Sequence, residues 1–171
     1  MLNRSEIKEI IKNLKNQKVL IIPTDTIYGI SAVISKENEI LINSIKMSPN
    51  NKKLIILISN LKQAKKMILL NNEIENNFLD LRPITQIISL KKNPNKNIAL
   101  RMIKRKDLKK IIDKTGPIFS TSVNKTGFDF LTQKDELENF SNKIFKVYWD
   151  GELKNSPSMI IDFSKQTVIR K

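Results

Sequence analysis

Residues Ile21 to Ile34 read IIPTDTIYGISAVI, and the rest of the chain is organised around them. An apolar run closes on Pro23, gives way to small hydroxyl-bearing residues, an acid and Tyr28, turns at Gly29 and resumes apolar to Ile34. That pattern predicts strand, loop, strand. Pro23 cannot donate to a sheet ladder and Gly29 tolerates a positive φ, so Thr24, Asp25, Thr26 and Tyr28 are expected to project from a rigid loop. A loop this dense in hydroxyls, held by sheet on both sides, suits a polar ligand.

Outward from this loop, apolar spacing lays out the other elements. Ser5 is expected to cap a helix carrying Ile7, Ile10, Ile11 and Leu14. A second helix follows Ser35 and ends near Lys46, where Pro49 and two asparagines break the pattern. Leu54 to Ile58 reads as a strand, and Ser59 as the cap of a helix running to Leu70. Further helices are expected over Glu73 to Leu79, Lys106 to Asp113 and Lys134 to Asn139. Strands are expected over Thr85 to Leu90, Ile98 to Met102, Ile118 to Val123, Lys146 to Trp149, Ser158 to Ile161 and Thr167 to Arg170, with a polar connection over 91–97. Alternation of the two types predicts one α/β domain over 1–171, an open mixed sheet with flanking helices.

Composition narrows the chemistry. The 171 residues contain no cysteine and no histidine, which removes disulfides, thiolate zinc sites, cysteine nucleophiles and histidine bases. Lysine, arginine, carboxylates, hydroxyls and backbone donors remain, an inventory suited to phosphate chemistry. A net charge of +14 predicts attraction to polyanions, nucleic acid first. No apolar run reaches membrane-spanning length and the amino-terminal stretch has no cleavage site, so a cytoplasmic protein without membrane association is expected.

Two later stretches add to the loop. Lys46 to Leu54, KMSPNNKKL, places Lys46 and Lys52 beside small polar residues, where they can grip phosphate oxygens. Gly116 to Gly127, GPIFSTSVNKTG, puts Ser122 and Asn124 beyond the carboxyl end of a strand, where ligands of α/β sheets tend to sit.

In this order the three stretches resemble the YrdC-type threonylcarbamoyl-AMP synthases. Pro23 to Gly29 matches the family's PT-[DE]-T-x-YG loop, and Ser122 to Gly127 matches S-A-N-x-[ST]-G except for Val123. Pro83-Ile84-Thr85, Ala99-Leu100-Arg101 and Ser156-Pro157-Ser158 fall at further family segments, and Arg170 at a late arginine. Ser48, Leu57, Ile103 and Met159 depart from it, standing where an arginine, a histidine, a proline and a threonine are expected.

The resemblance implies a YrdC-like fold with a basic concave groove. It implies a reaction of L-threonine, bicarbonate and ATP with Mg²⁺, giving threonylcarbamoyl-AMP and pyrophosphate for threonylcarbamoyl modification of tRNA adenosine. Thr26, Ser120 and Ser158 would then line the threonine subsite, with Arg101 paired to the carboxylate. Lys46 and Lys52 would neutralise phosphates, and Lys46 and Arg101 would be the catalytic pair. Ser120, Ser122 and Asn124 would line the nucleotide and carbamate side, and Arg170 would approach the nucleotide. tRNA or tRNA-modification proteins are the expected partners. Two other readings of the same fold are a non-catalytic RNA-binding module and a carbamoyl-transfer enzyme of metallocentre maturation. The second normally carries zinc modules that a cysteine-free chain cannot build.

Overall fold

The computed structural model describes residues 1–49, 52–153 and 155–170. Its elements alternate as expected. Helix α1 (Arg4–Lys15) is followed by β1 (Leu20–Pro23), β2 (Tyr28–Val33), α2 (Lys36–Ile45), β3 (Ile55–Ile58), α3 (Leu61–Met67) and α4 (Asn72–Leu79). Then come β4 (Ile84–Leu90), β5 (Asn93–Met102), α5 (Lys106–Thr115), β6 (Ile118–Ser122), α6 (Lys134–Glu138), β7 (Lys146–Val147), β8 (Met159–Asp162) and β9 (Thr167–Arg170). Among the described residues no helix is long and apolar enough to cross a membrane.

Several boundaries move for local reasons. The cap of α1 is Asn3, not Ser5: its side chain accepts from the Ser5 and Glu6 amides while Glu6 accepts from the Asn3 amide, a reciprocal box that Ser5 has no partner to make. Asn60, not Ser59, caps α3, and the helix stops at Met67 because Ile68 is extended. The polar 91–97 connection is largely strand: β5 begins at Asn93, and Asn97 pairs with Ser89 after a register shift. Asn50 and Asn51 lie outside the described residues.

Among the described residues nine strands form one mixed sheet in the order β7-β1-β2-β6-β3-β5-β4-β8-β9. β1 with β7, β3 with β5, and β4 with β8 run parallel; the other neighbours are antiparallel. Strand alternation divides the apolar residues between two cores. Ile21, Ile56, Ile58 and Phe119 pack with α2, α3, α4 and α6 through Ile42, Ile45, Ala64, Ile74, Phe78 and Leu137. Leu20, Ile22, Leu57 and Ile118 face the other way, onto α1 and α5 through Ile10, Leu14, Leu108, Ile111 and Ile112.

Two helices do not cover a nine-stranded face. The part of the second face that α1 and α5 leave open becomes a cleft, and the register decides what lines it. Gly29 is paired with Ser122, Ser31 and Ile55 with Ser120, Ile55 with Ala99, Leu57 with Arg101, and Thr85 with both Arg101 and Ile160. Directly paired residues share a face, so hydroxyls and one guanidinium from distant segments point into the same space.

Candidate functional site

The cleft is about 540 Å³ and is lined from β2, β3, β4, β5, β6, β8 and β9 with the loops at their ends. A space of this size fits a small ligand. Its floor is apolar at Ile55, Leu57, Ile87 and Ala99, and its walls are polar.

At one end the central loop folds in on itself. Thr24 and Thr26 are buried, and the Thr24 hydroxyl donates to the Ile27 carbonyl at 2.6 Å while accepting from the Thr26 amide at 3.2 Å. The loop is therefore preformed. It does not project all its side chains as expected. Tyr28 is buried, stacks on Trp149 at 5.2 Å, donates to the Gly151 carbonyl at 2.6 Å and accepts from the Asp150 amide at 2.9 Å. Gly29 is also required for a reason other than a turn, since it lies in extended β2. A Cβ there would lie 2.3 Å from the Ser120 hydroxyl oxygen, so glycine lets β6 bring Ser120 close.

Arg101 rises from the floor beside this loop. It is 5% exposed, and its Nη2 lies 3.0 Å from Asp25 Oδ1. Its Nη1 donates to the Thr26 hydroxyl at 3.2 Å and Nη2 to the Thr24 hydroxyl at 3.4 Å. Burial pushes the guanidinium below its ordinary pKa and Asp25 opposes that shift; a guanidinium stays charged regardless. Asp25 also accepts from the Lys104 amide at 3.1 Å, anchoring the loop to the start of α5. On the neighbouring strand, Thr85 is the direct partner of Arg101; its hydroxyl lies 2.8 Å from that of Ser158, and Arg170 Nε donates to the Ser158 carbonyl at 2.8 Å.

At the other end stand Lys52, Lys53, Ser122, Asn124 and the segment Phe128 to Phe130. The Ser122 hydroxyl donates to Asn124 Oδ1 at 2.6 Å, and Asn124 Nδ2 donates to the Phe128 carbonyl at 2.6 Å. Lys53 Nζ donates to the Asn97 carbonyl at 2.7 Å.

The structure thus brings Thr26, Arg101, Ser120, Ser122, Asn124, Ser158, Lys52 and Arg170 to one cleft. Lys46 is not among the lining residues. Its buried ammonium donates to the Ser122 carbonyl at 2.6 Å, the Asn124 carbonyl at 2.9 Å and Asn124 Oδ1 at 2.6 Å, so all three hydrogens are committed. Burial, with the Lys52 and Lys125 charges nearby, lowers its pKa to about 8. In this structure Lys46 fastens the end of α2 to the loop after β6, and of the two lysines expected at the phosphates only Lys52, with its neighbour Lys53, lines the cleft.

The departures from the motif have physical counterparts. Ser48 bonds through its hydroxyl to that of Thr126. Leu57 closes the cleft floor and packs among α1 and α5. Ile103 donates its amide to the Ile58 carbonyl at 3.0 Å, a bond proline could not make. Sequence reasoning passed over the Asp25 pairing, the Thr85 bond to Ser158 and the Phe128–Phe130 segment. Asp25 and Thr85 were legible as motif positions; the aromatic segment has no periodic signal.

Comparison with known proteins agrees with this architecture. The Sua5/YciO/YrdC family model, described as telomere recombination, matches residues 12–171. A Methanocaldococcus jannaschii protein provisionally named threonylcarbamoyl-AMP synthase is 29% identical, over 98% of this chain and 87% of that protein. Escherichia coli YciO superposes with a TM-score of 0.86 at 19% identity, over all of this chain and 91% of that one. P. abyssi Sua5, crystallised with L-threonine, superposes with a TM-score of 0.84 at 22% identity, over 98% of this chain; the chain spans 54% of the Sua5 length. With the family model covering all but the first eleven residues, this chain belongs to the Sua5/YciO/YrdC family.

Proposed function

We propose that the chain is an L-threonylcarbamoyladenylate synthase. The amine of L-threonine takes up bicarbonate with loss of water to give a carbamate, and a carbamate oxygen displaces pyrophosphate from the α-phosphorus of ATP. The product is threonylcarbamoyl-AMP, for later transfer to tRNA adenosine in the cytoplasm. Neither step needs a protein nucleophile, which suits a chain lacking cysteine and histidine. Catalysis is positioning and charge stabilisation.

The observation that carries this reading is the buried Arg101 in the cleft, bonded to Thr26 and paired in register with Thr85, whose hydroxyl meets that of Ser158. A guanidinium with hydroxyls on two sides recognises a small hydroxylated carboxylate. Ser120 lies between this end and the phosphate end, where Lys52 and Lys53 supply positive charge and Ser122 and Asn124 supply polar groups; Arg170, bonded to Ser158, would reach the nucleotide from the threonine end. Lys46 acts through the loop it holds. Mg²⁺ would arrive with ATP and lower phosphate charge. Among the described residues no group of three or more acidic side chains could hold a metal.

The test is pyrophosphate release from ATP, Mg²⁺ and bicarbonate with and without L-threonine. Threonine-dependent release is expected. Absence of release together with absence of threonine binding overturns the reading in favour of the non-catalytic RNA-binding module.

A further inference from the structure

The carboxyl ends of the parallel neighbours β3 and β5 open onto a second hollow of about 410 Å³, which shares no lining residue with the cleft. Leu61 at the start of α3, Leu79 at the end of α4 and Met102 at the end of β5 give it an apolar surface, with Lys62 and Lys109 beside them. Leu61 and Met102 each pack one side on the first core. Helix α4 turns Phe78 into that core, and a step of about 100° per residue swings the next side chain away from it. Leu79 is accordingly 56% exposed, while Phe78 is buried.

The hollow is held in shape by polar bonds around it. Lys104 Nζ donates to the Phe78 carbonyl at 2.5 Å, tying the end of α4 to the start of α5. Gln63 Nε2 donates to the Ile112 carbonyl at 3.4 Å and Asn60 Nδ2 to Asp113 Oδ1 at 3.4 Å, tying α3 to α5. Charge around it is one-sided. Lys62 and Lys109 are exposed and in no ion pair among the described residues. Of the acids adjoining these elements, Asp80 is held by Arg82 and Asp113 is engaged by Asn60.

The kind of partner follows from an aliphatic floor between lysines. A second copy docked about a two-fold axis would bring this surface, with its lysines, against itself. The floor offers no aromatic ring on which a base could stack, and a phosphate backbone gains nothing from covering leucines. An amphipathic helix suits both features, because its apolar stripe enters a hollow between elements while flanking carboxylates meet the lysines. We propose that this hollow docks an acidic amphipathic helix of another protein, with aliphatic side chains at i, i+3 or i+4 and i+7 seated against Leu61, Leu79 and Met102. Arg101 and Met102 are consecutive in β5 and face opposite sides of the sheet, so the docked helix leaves the cleft lining untouched. The proposal does not rest on the synthase reading.

The experiment selects displayed random peptides of about 15 residues, roughly four helical turns, on the wild-type chain after depletion on the Leu79→Asp variant. Enriched peptides are expected to carry aliphatic residues at helical spacing and an excess of Asp and Glu. Anisotropy of one such peptide, fluorescein-labelled, then reads affinity. Leu79→Asp is expected to weaken it roughly tenfold or more. The Lys62→Glu, Lys109→Glu variant should lose about tenfold at about 50 mM salt and less at about 200 mM. Leu79→Ala should fall between wild type and Leu79→Asp, which keeps the test open if the buried charge disturbs α4. Saturating ATP and L-threonine should leave binding unchanged. Absence of enrichment overturns the proposal, as do enriched peptides that are basic or lack the spacing, displacement by ATP, or wild-type-like binding by the lysine variant. Sedimentation and phosphatidylserine vesicle binding of the wild-type chain are measured alongside. Self-association or vesicle binding that Leu79→Asp abolishes would assign the hollow to a second copy or to a membrane and overturn it equally.

Discussion

Asp25 and Arg101, 76 positions apart in sequence, form a buried ion pair on the cleft floor, with Nη2 3.0 Å from Oδ1 and both side chains 7% exposed. Removing one partner strands the other charge out of water. Asp25→Asn and Arg101→Gln are each expected to cost about 3 kcal/mol of stability, and the double variant less than the sum. Urea denaturation of the four proteins measures this directly; strict additivity would show that the two charges do not interact.

Gly29 and Ser120 make a second long-range pair. Gly29→Ala places a Cβ against the Ser120 hydroxyl oxygen and is expected to destabilise by about 1–3 kcal/mol. Adding Ser120→Ala removes the atom in the way, so the double variant should recover most of that loss in a thermal melt. No recovery would locate the strain elsewhere in β2.

Lys46 gives a pH signature with a definite sign. The unfolded chain keeps this lysine protonated up to its ordinary 10.5, whereas the folded chain releases the proton near about 8. Between those values the unfolded state binds more protons, so this group's contribution to stability rises with pH. The stability difference between wild type and Lys46→Met should therefore shift in favour of wild type by roughly 3 kcal/mol from pH about 8 to about 10.5. Denaturant titrations at a series of pH values report it. A difference that stays flat across the window would mean that Lys46 keeps its proton in the fold.

Tyr28 ties the loop to Trp149, the one tryptophan of the chain. Tyr28→Phe keeps the stack but loses the bonds to Gly151 and Asp150, at about 1–2 kcal/mol. Tyr28→Ala also opens the stack and should red-shift the tryptophan emission. An unshifted spectrum would show that Trp149 is shielded without Tyr28.

For the phosphate end, the Lys52→Ala, Lys53→Ala double variant is expected to raise the ATP requirement about tenfold or more while leaving the threonine requirement nearly unchanged, given the loss of two point charges. Steady-state pyrophosphate release at varied ATP and varied threonine separates the two. An equal rise in both requirements would sink the assignment of these lysines to phosphate.

Local order was legible in the sequence because its causes are local. Apolar spacing placed nearly all the helices and strands, the hydroxyl-rich loops pointed to Thr26, Ser122 and Asn124, and Arg101, Ser120, Ser158 and Arg170 came from the family resemblance. Boundaries slipped where neighbours compete, as when Asn3 with Glu6 outperforms Ser5 as a cap. Tertiary structure decided the rest. That Lys46 holds a loop instead of facing the cleft, that Asp25 pairs with Arg101 through Nη2, and that Gly29 is needed for Ser120 all depend on which strands are neighbours and in what register. Sheet pairing joins residues tens of positions apart, and a shift of one residue sends every side chain to the opposite face, so no stretch of sequence by itself contains that information.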